Sequence, residues 1–476
     1  MDALASFGKT ALVLLGLWAI LAVIALAAGV VPGFGAHPAA GGDDADAGLE
    51  IADGGVDDAG TLADAVVADA GTAEATPPPT PAAVTPPPSP ALPRTRVCAE
   101  PALAPSLAVV DVLGDARPEI VVGCGASWEV VGRGVDGALM RVAQLRVPEG
   151  LGDRSPLTSA PIAIDVDQDG DADGAFPFAR VGAGGATSGG GLFVLPRTAS
   201  GAWGDPRSLA PIAAVAVAPI TLPQGPGLVA LDRANPFARA PSEAWVMALG
   251  AAAGRVASPH AGTGATGLGV VDVDRDGRLD VLVASSDDSR LDVLYGDATA
   301  RFSRTRTLSV PSVADVVVGD LDGDGAPDAL LVGASVSRLL SRSGEDASVA
   351  PIEGAPALRD ATLADVDGDG RMDVVGWAHP ALVVLGARAD GTYENRTLFE
   401  LEGGEIGPRR VALADVDGDG ARETVLLVVG DHEGARTLDL VVVPAAERGR
   451  VRTEEAHPLP DAPLSLTLQL PDPNAP

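Results

Sequence analysis

The sequence predicts an all-β fold, a seven-bladed β-propeller, and three observations carry that expectation. An aspartate-rich nonapeptide recurs between short apolar runs, it recurs at a blade-sized period, and the composition suits many short strands joined by turns. Gly (59) and Pro (40) are abundant among the 476 residues, aromatics make up only 3%, and Ala, Val and Leu carry most of the apolar share. A core of bulky rings is therefore not available, and small aliphatic side chains have to build it.

The nonapeptides read DVDQDGDAD from Asp165, DVDRDGRLD from Asp272, DLDGDGAPD from Asp320, DVDGDGRMD from Asp365 and DVDGDGARE from Asp415. A degenerate copy, DVLGDARPE, starts at Asp111. Successive starts are 54, 107, 48, 45 and 50 residues apart, and the long step is twice an ordinary one. A repeat without its loop is expected near 218, where AAVAVAPITLPQGPGLVALDR (213–233) sets two apolar runs on either side of a Pro/Gly turn. Seven repeats result. Strand pairs at this period are the signature of four-stranded blades arranged around an axis.

The nonapeptides and their flanking strands resemble the FG-GAP and VCBS-type repeats of integrin α-like propellers, over roughly residues 105 to 460. The resemblance implies that each loop joins the first two strands of a blade and binds calcium, and that the domain serves recognition or adhesion.

The residues themselves point to a hard cation. Calcium takes six to eight oxygen ligands, and carboxylates at positions 1, 3 and 5 can converge on one ion if the chain curls tightly after them. Glycine at position 6 adopts φ > 0 without steric cost and so permits that curl. Position 7 can offer its carbonyl, and the carboxylate at position 9 closes the site. The candidate ligands are Asp165, Asp167, Asp169 and Asp173; Asp272, Asp274, Asp276 and Asp280; and Asp320, Asp322, Asp324 and Asp328. The last two loops supply Asp365, Asp367, Asp369 and Asp373, then Asp415, Asp417, Asp419 and Glu423. About five Ca2+ ions are expected, none of them at the first repeat, where Leu113 stands at position 3 and Ala116 at position 6. The bland alternative is that such strings form solvated turns whose aspartates cap the backbone. Mutual repulsion of four carboxylates in each loop favours the ion. EF-hands are excluded, because position 12 holds Phe176, Val283, Leu331, Gly376 and Leu426 instead of a bidentate Glu.

Four segments are expected: a short cytoplasmic N-terminus (1–10), a transmembrane helix or signal anchor (11–31), an acidic and Pro-rich disordered linker (32–93), and the propeller (94–476). The 11–31 run is uncharged and 21 residues long, enough to span a bilayer, with Lys9 before it. A cleaved signal is the alternative, which would leave the propeller secreted or periplasmic. Residues 41–76 carry ten acidic side chains and no basic one, and TPPPTPAAVTPPPSP (76–90) favours an extended polyproline rod. The propeller is thus placed outside the cytoplasm on a membrane tether.

The net charge of −32 leaves no basic stripe to displace counterions from phosphates, which excludes nucleic acid. No enzyme is expected, since His37, His260, His379, His432 and His457 are scattered and none lies in HExxH or beside GxSxG. Trp128, Trp203, Trp245 and Trp377 read as packing residues, and GAGGATSGGG (182–191) as a flexible loop. The functional expectation is a binding or adhesion module for a protein or glycan at the cell surface. A polysaccharide lyase-like enzyme and a purely structural envelope protein are the alternatives. Two further expectations concern closure of the ring. RTRVC (94–98) resembles a fourth strand, and LSLTLQL (464–470) a leftover first strand. Cys98 and Cys124 are placed to form a disulfide if the chain is exported.

Overall fold

Each repeat becomes one antiparallel sheet, because its apolar runs are short and its turns carry Gly, Pro or Asp. The computed structural model describes residues 91–471, apart from 99–104, 114–116, 135–136, 149–154, 182–186, 199–201, 234–239, 251–253, 341–346, 402–409 and 448. The expected anchor at 11–31 and the linker up to residue 90 lie outside the described residues. Among the described residues no helix is long and apolar enough to cross a membrane.

The described chain opens with β1 (Leu92–Cys98), so the propeller begins two residues before the expected 94. Blade 1 holds β2 (Ser106–Val110), β3 (Glu119–Gly123), β4 (Ser127–Arg133) and β5 (Leu139–Arg146). Blade 2 has its inner strand in two pieces, β6 (Ser155–Thr158) and β7 (Ile162–Ile164), then β8 (Asp173–Val181), β9 (Thr187–Leu195) and β10 (Arg207–Ala210). Blade 3 holds β11 (Ala214–Leu222), β12 (Gly225–Asp232), β13 (Glu243–Ala248) and β14 (Gly254–Ala257). Blade 4 holds β15 (Ala265–Val271), β16 (Asp280–Ser285), β17 (Arg290–Tyr295) and β18 (Arg304–Ser309). Blade 5 holds β19 (Val313–Gly319), β20 (Asp328–Gly333), β21 (Ser337–Leu340) and β22 (Ser348–Pro351). Blade 6 holds β23 (Ala361–Ala364), β24 (Asp373–Ala378), β25 (Ala381–Ala387) and β26 (Tyr393–Leu401). Blade 7 holds β27 (Arg410–Ala414), β28 (Glu423–His432) and β29 (Ala435–Val443), and the last described strands are β30 (Gly449–Val451), β31 (Thr453–Pro458) and β32 (Asp461–Gln469). The inner strands β2, β7, β11, β15, β19, β23 and β27 neighbour one another in a closed ring.

The repeat expected near 218 is blade 3, whose β11 and β12 meet in a tight turn at Pro223 and Gln224 in place of an aspartate loop. The Gly-rich stretch departs from expectation. Residues 187–191 belong to β9, paired to β8, because a strand with another blade packed on each side has room for glycine where a side chain would collide.

The core is divided into seven clusters, one at each junction between adjacent blades. Strand β16 shows why. Its Val281 and Val283 pack toward blade 3, while Leu282 and Ala284 pack toward blade 5. Alternate side chains point to opposite faces of a strand, so a strand buried on both faces must be apolar throughout. Trp128 and Trp377 are buried packing residues, as expected, and Trp203 and Trp245 pack half-buried at the edges of their clusters.

Ring closure uses both described ends of the chain. Strand β1 supplies the fourth strand of blade 7, antiparallel to β29, with Arg96 opposite Asp439. Asp439 is fully buried and pairs with Arg94 at 2.7 Å. Gly430 leaves space for that pair, since a Cβ there would collide with both side chains. The C-terminal LSLTLQL does not supply a first strand. Strand β32 adds in parallel to β5 as a fifth, outermost strand of blade 1. The inner position is already filled by β2, and only the outer edge has free backbone groups. The pattern of β32 fits an edge, with Ser465, Thr467 and Gln469 exposed and Leu466 and Leu468 half-buried. Strands β30 and β31 add to blades 6 and 7 in the same parallel way, so the tail belts three consecutive blades. Cys98 and Cys124 form a disulfide with Cα atoms 5.8 Å apart, joining the outer strand of blade 7 to the residue after β3 in blade 1.

Candidate metal loops

Each nonapeptide leaves an inner strand and turns back into the second strand of its blade. The turn is held by its own carboxylates. Asp365 accepts the N–H groups of Gly368, Asp369 and Gly370 at 2.7, 3.1 and 3.0 Å, and the position-1 aspartates of the other four loops cap the same region. Position-6 glycines have φ between 84° and 98°, as the curl requires. Position 4 is left-handed as well, at Gly323, Gly368 and Gly418 but also at Gln168 (64°) and Arg275 (55°), where a side chain is strained. The sequence reading accounted for position 6 and missed position 4.

Ligand atoms from three carboxylates lie within 4.8 Å of one another in every loop. Four loops converge through positions 1, 3 and 9: Asp165, Asp167 and Asp173; Asp320, Asp322 and Asp328; Asp365, Asp367 and Asp373; Asp415, Asp417 and Glu423. The blade 4 loop converges through Asp272, Asp274 and Asp276. Asp169, Asp324, Asp369, Asp419 and Asp280 fall outside these triads. In all five loops the position-5 carboxylate caps the N–H of position 7, as Asp169 does for Asp171 at 3.0 Å and Asp276 for Arg278 at 2.9 Å.

Position 9 has a second task. In all five loops its carboxylate accepts the N–H of position 2, at 2.8 Å from Val273 to Asp280 and at 2.9 to 3.2 Å in the others. The degenerate first loop keeps this bond, with Glu119 accepting from Val112 and Leu113 at 2.9 and 3.0 Å. Burial raises the carboxyl of Asp280 to about 7 and of Asp328 to about 6, and neighbouring loop carboxylates add to the effect. Asp173, Asp373 and Glu423 are raised for the same reasons.

Arginines on the fourth strands were not anticipated. Arg207, Arg304 and Arg396 reach the position-3 carboxylates of their blades, Asp167, Asp274 and Asp367, at 4.0, 3.0 and 3.1 Å. Asp322 and Asp417 instead accept the N–H of position 5, at 3.1 and 3.2 Å. A weak sequence signal existed, because Arg304 and Arg396 follow their aspartates by 30 and 29 residues. The donor set is all oxygen, and Asp274 Oδ1 is buried with no hydrogen-bond donor, so the blade 4 loop retains an acceptor that a hard cation would satisfy. The residues present fit calcium.

Residues 252–331 and 365–425 match the family model described as FG-GAP-like repeat, and these spans contain the loops starting at 272, 320, 365 and 415. No curated protein matches the sequence. Among solved structures, the chain is similar to an Agrocybe aegerita lectin whose structure addresses recognition of non-reducing terminal N-acetylglucosamine. Identity is 15% and the TM-score 0.44, covering 71% of this chain and 94% of that one. It is also similar to BBS1N in complex with ARL6DN, at 10% identity and TM-score 0.45, covering 75% and 97% of the two chains. The V. cholerae biofilm matrix protein Bap1 matches at 16% identity and TM-score 0.31, covering 62% of this chain and 39% of that one. The chain is a seven-bladed β-propeller whose residues 252–331 and 365–425 carry FG-GAP-like repeats, an arrangement consistent with an integrin α-like propeller.

Proposed function

We propose that this propeller is a calcium-stabilised binding module, exported and tethered to the membrane through residues 11–31, which recognises a protein or glycan at the cell surface and catalyses no reaction. The observation that carries the calcium reading is the convergence of three carboxylates in each of five loops. Positions 1 and 3 would hold the ion with position 9, or with Asp276 in blade 4, and the ion would neutralise carboxylates that the turn forces together. The Cys98–Cys124 disulfide supports export, since such bonds persist in oxidising compartments.

Calcium titration by calorimetry tests the reading. About five ions should bind, with Kd in the range of about 10⁻⁴ to 10⁻³ M typical of extracellular modules or tighter. Because the ions bind only the native state, excess EGTA should lower the melting temperature. The gain should also depend on pH in a stated direction. Asp280 and Asp328 have folded values of about 7 and 6, against an ordinary 3.8. Carboxyls harder to ionise in the fold favour the fold while protonated, so this contribution is complete below 3.8 and disappears as pH rises through 6 to 7. Calcium-free protein should therefore lose stability across that window, and the calcium-dependent gain should grow across it. A melting curve indifferent to EGTA at pH 7.5 would sink the proposal.

A further inference from the structure

The five loops occupy the C-terminal ends of the inner strands, and a different constellation occupies the N-terminal ends. A cavity of about 520 Å³ runs along the ring of inner strands, within the roughly 300–1,000 Å³ of small-ligand pockets. Asp315 on β19, Asp360 just before β23 and Arg410 at the start of β27 come from three consecutive blades and meet in its lining.

Two of these groups are partly spoken for. Asp360 accepts from Arg410 Nη1 at 2.9 Å and from the Val411 N–H at 2.7 Å, and Arg410 Nε donates to the Pro105 carbonyl at 3.1 Å. Asp315 differs. Its Oδ1 accepts the Val316 N–H at 2.8 Å, while its Oδ2 lies 4.0 Å from Arg410 Nη1, too far for a hydrogen bond. An acceptor and a guanidinium thus face the same cavity without satisfying each other. Loss of hydration raises the Asp315 carboxyl to about 6, with Arg410 opposing and Asp360 adding to the shift. Arg233 is the fourth charged residue of the lining, so two carboxylates and two guanidiniums balance, and the walls beyond mix aliphatic side chains such as Val109, Val217 and Leu413 with the hydroxyl residues Ser159, Thr266 and Thr362.

We infer that this cavity is the recognition site of the module and takes a neutral polyhydroxylated ligand, the terminal saccharide residue of a glycan, one hydroxyl donating to Asp315 Oδ2 and its neighbour accepting from Arg410. The balanced lining disfavours a charged ligand, and a carboxylate oxygen that Arg410 does not reach, set among hydroxyl and aliphatic side chains, suits a sugar with one polar and one apolar face. This inference rests on the binding-module reading and names its glycan arm.

The test uses the calcium-loaded full chain on a glycan array, followed by calorimetry with a panel of free monosaccharides and glycerol as a polyol control. Asp315→Ala removes the acceptor, and Ala216→Phe fills the cavity from blade 3, which contributes neither Asp315 nor Arg410. Both variants should melt and bind calcium as the parent does, yet bind the saccharide at least tenfold more weakly, with glycerol giving no response. Undiminished saccharide binding by both folded variants would overturn the cavity assignment and leave a glycan-binding module with its site elsewhere. Failure of the parent to bind any saccharide on the array or in solution would overturn the inference itself. The calcium titration reports separately on the metal loops.

Discussion

Blades 4 and 5 and blades 7 and 1 are neighbours of the same kind, yet they are joined by different means. Blades 4 and 5 follow one another along the chain, share an apolar cluster, and are linked across their loops by Arg275 and Asp324 at 2.6 Å. Both carry full aspartate loops. Blades 7 and 1 meet where the chain must close a ring, and there the ties are the exchanged strand β1, the Cys98–Cys124 disulfide and the belt of β31 and β32. Blade 1 keeps acidic residues at positions 1, 5 and 9 (Asp111, Asp115 and Glu119) but has Leu113 at position 3 and Ala116 at position 6, and its Glu119 still bonds to Val112 and Leu113. The difference separates two roles inside one motif. Position 9 serves the fold as well as the candidate site and keeps its backbone bond without a complete metal set, whereas position 3 serves the candidate site and is lost where other ties hold the blade.

The largest test of this contrast removes the belt. Deleting residues 449–476 takes away Val451, Leu459 and Leu470, all buried, and bares the outer edges of blades 6, 7 and 1. At about 1.5–3 kcal/mol for each buried aliphatic side chain, the loss is roughly 5–9 kcal/mol, comparable to the whole stability of many domains. Denaturant melts should show a protein unfolded or cooperative only at low temperature. A truncated chain that melts as the parent does would make the belt an appendage.

A smaller effect is expected from the covalent tie. Changing Cys98 and Cys124 to Ser frees a loop with a sequence separation of 26, worth about 3 kcal/mol if the bond acts by restricting the unfolded chain. The comparison sharpens if the calcium titration is unchanged in this variant, because the seam would then weaken without disturbing the loops of blades 4 and 5. Loss of calcium binding together with stability would show that seam and loops are one cooperative unit.

Most of the blade plan was legible because it is written locally. Aspartate strings, apolar runs and their spacing gave seven blades, the blade without a loop near 218, and the cysteine pairing. What escaped was set by distance. Asp315, Asp360 and Arg410 stand 45 or more residues apart and meet only because each lies at or near the N-terminal end of an inner strand. LSLTLQL alternates as any half-buried strand would, and nothing in it tells an inner position from an outer edge. The split of β6 and β7 was illegible too, although Pro161, which has no N–H to give, lies in the gap.

The smallest expected effect distinguishes the metal loops from one another. Arg304 pairs with Asp274 at 3.0 Å and lies over the Tyr295 ring, 3.8 Å from its centroid, whereas Asp322 in the next loop bonds to its own backbone. A cation entering the blade 4 loop must compete with a guanidinium already sharing the triad member Asp274, whereas in the blade 5 loop Arg275 pairs with Asp324, outside the triad, and the fourth strand β22 (SVAP) has no arginine. Arg304→Gln should therefore tighten the blade 4 loop by about 1.4- to fivefold, the equivalent of the 0.2–1 kcal/mol of an exposed ion pair, and change the melting temperature little. Terbium emission sensitised by Tyr295, which stands beside this loop, reads the site directly. Tighter terbium binding at low salt, with the gain shrinking as salt screens the pair, is the expected result. An affinity unmoved by the substitution would mean that Arg304 steps aside without cost and that the loops differ for another reason.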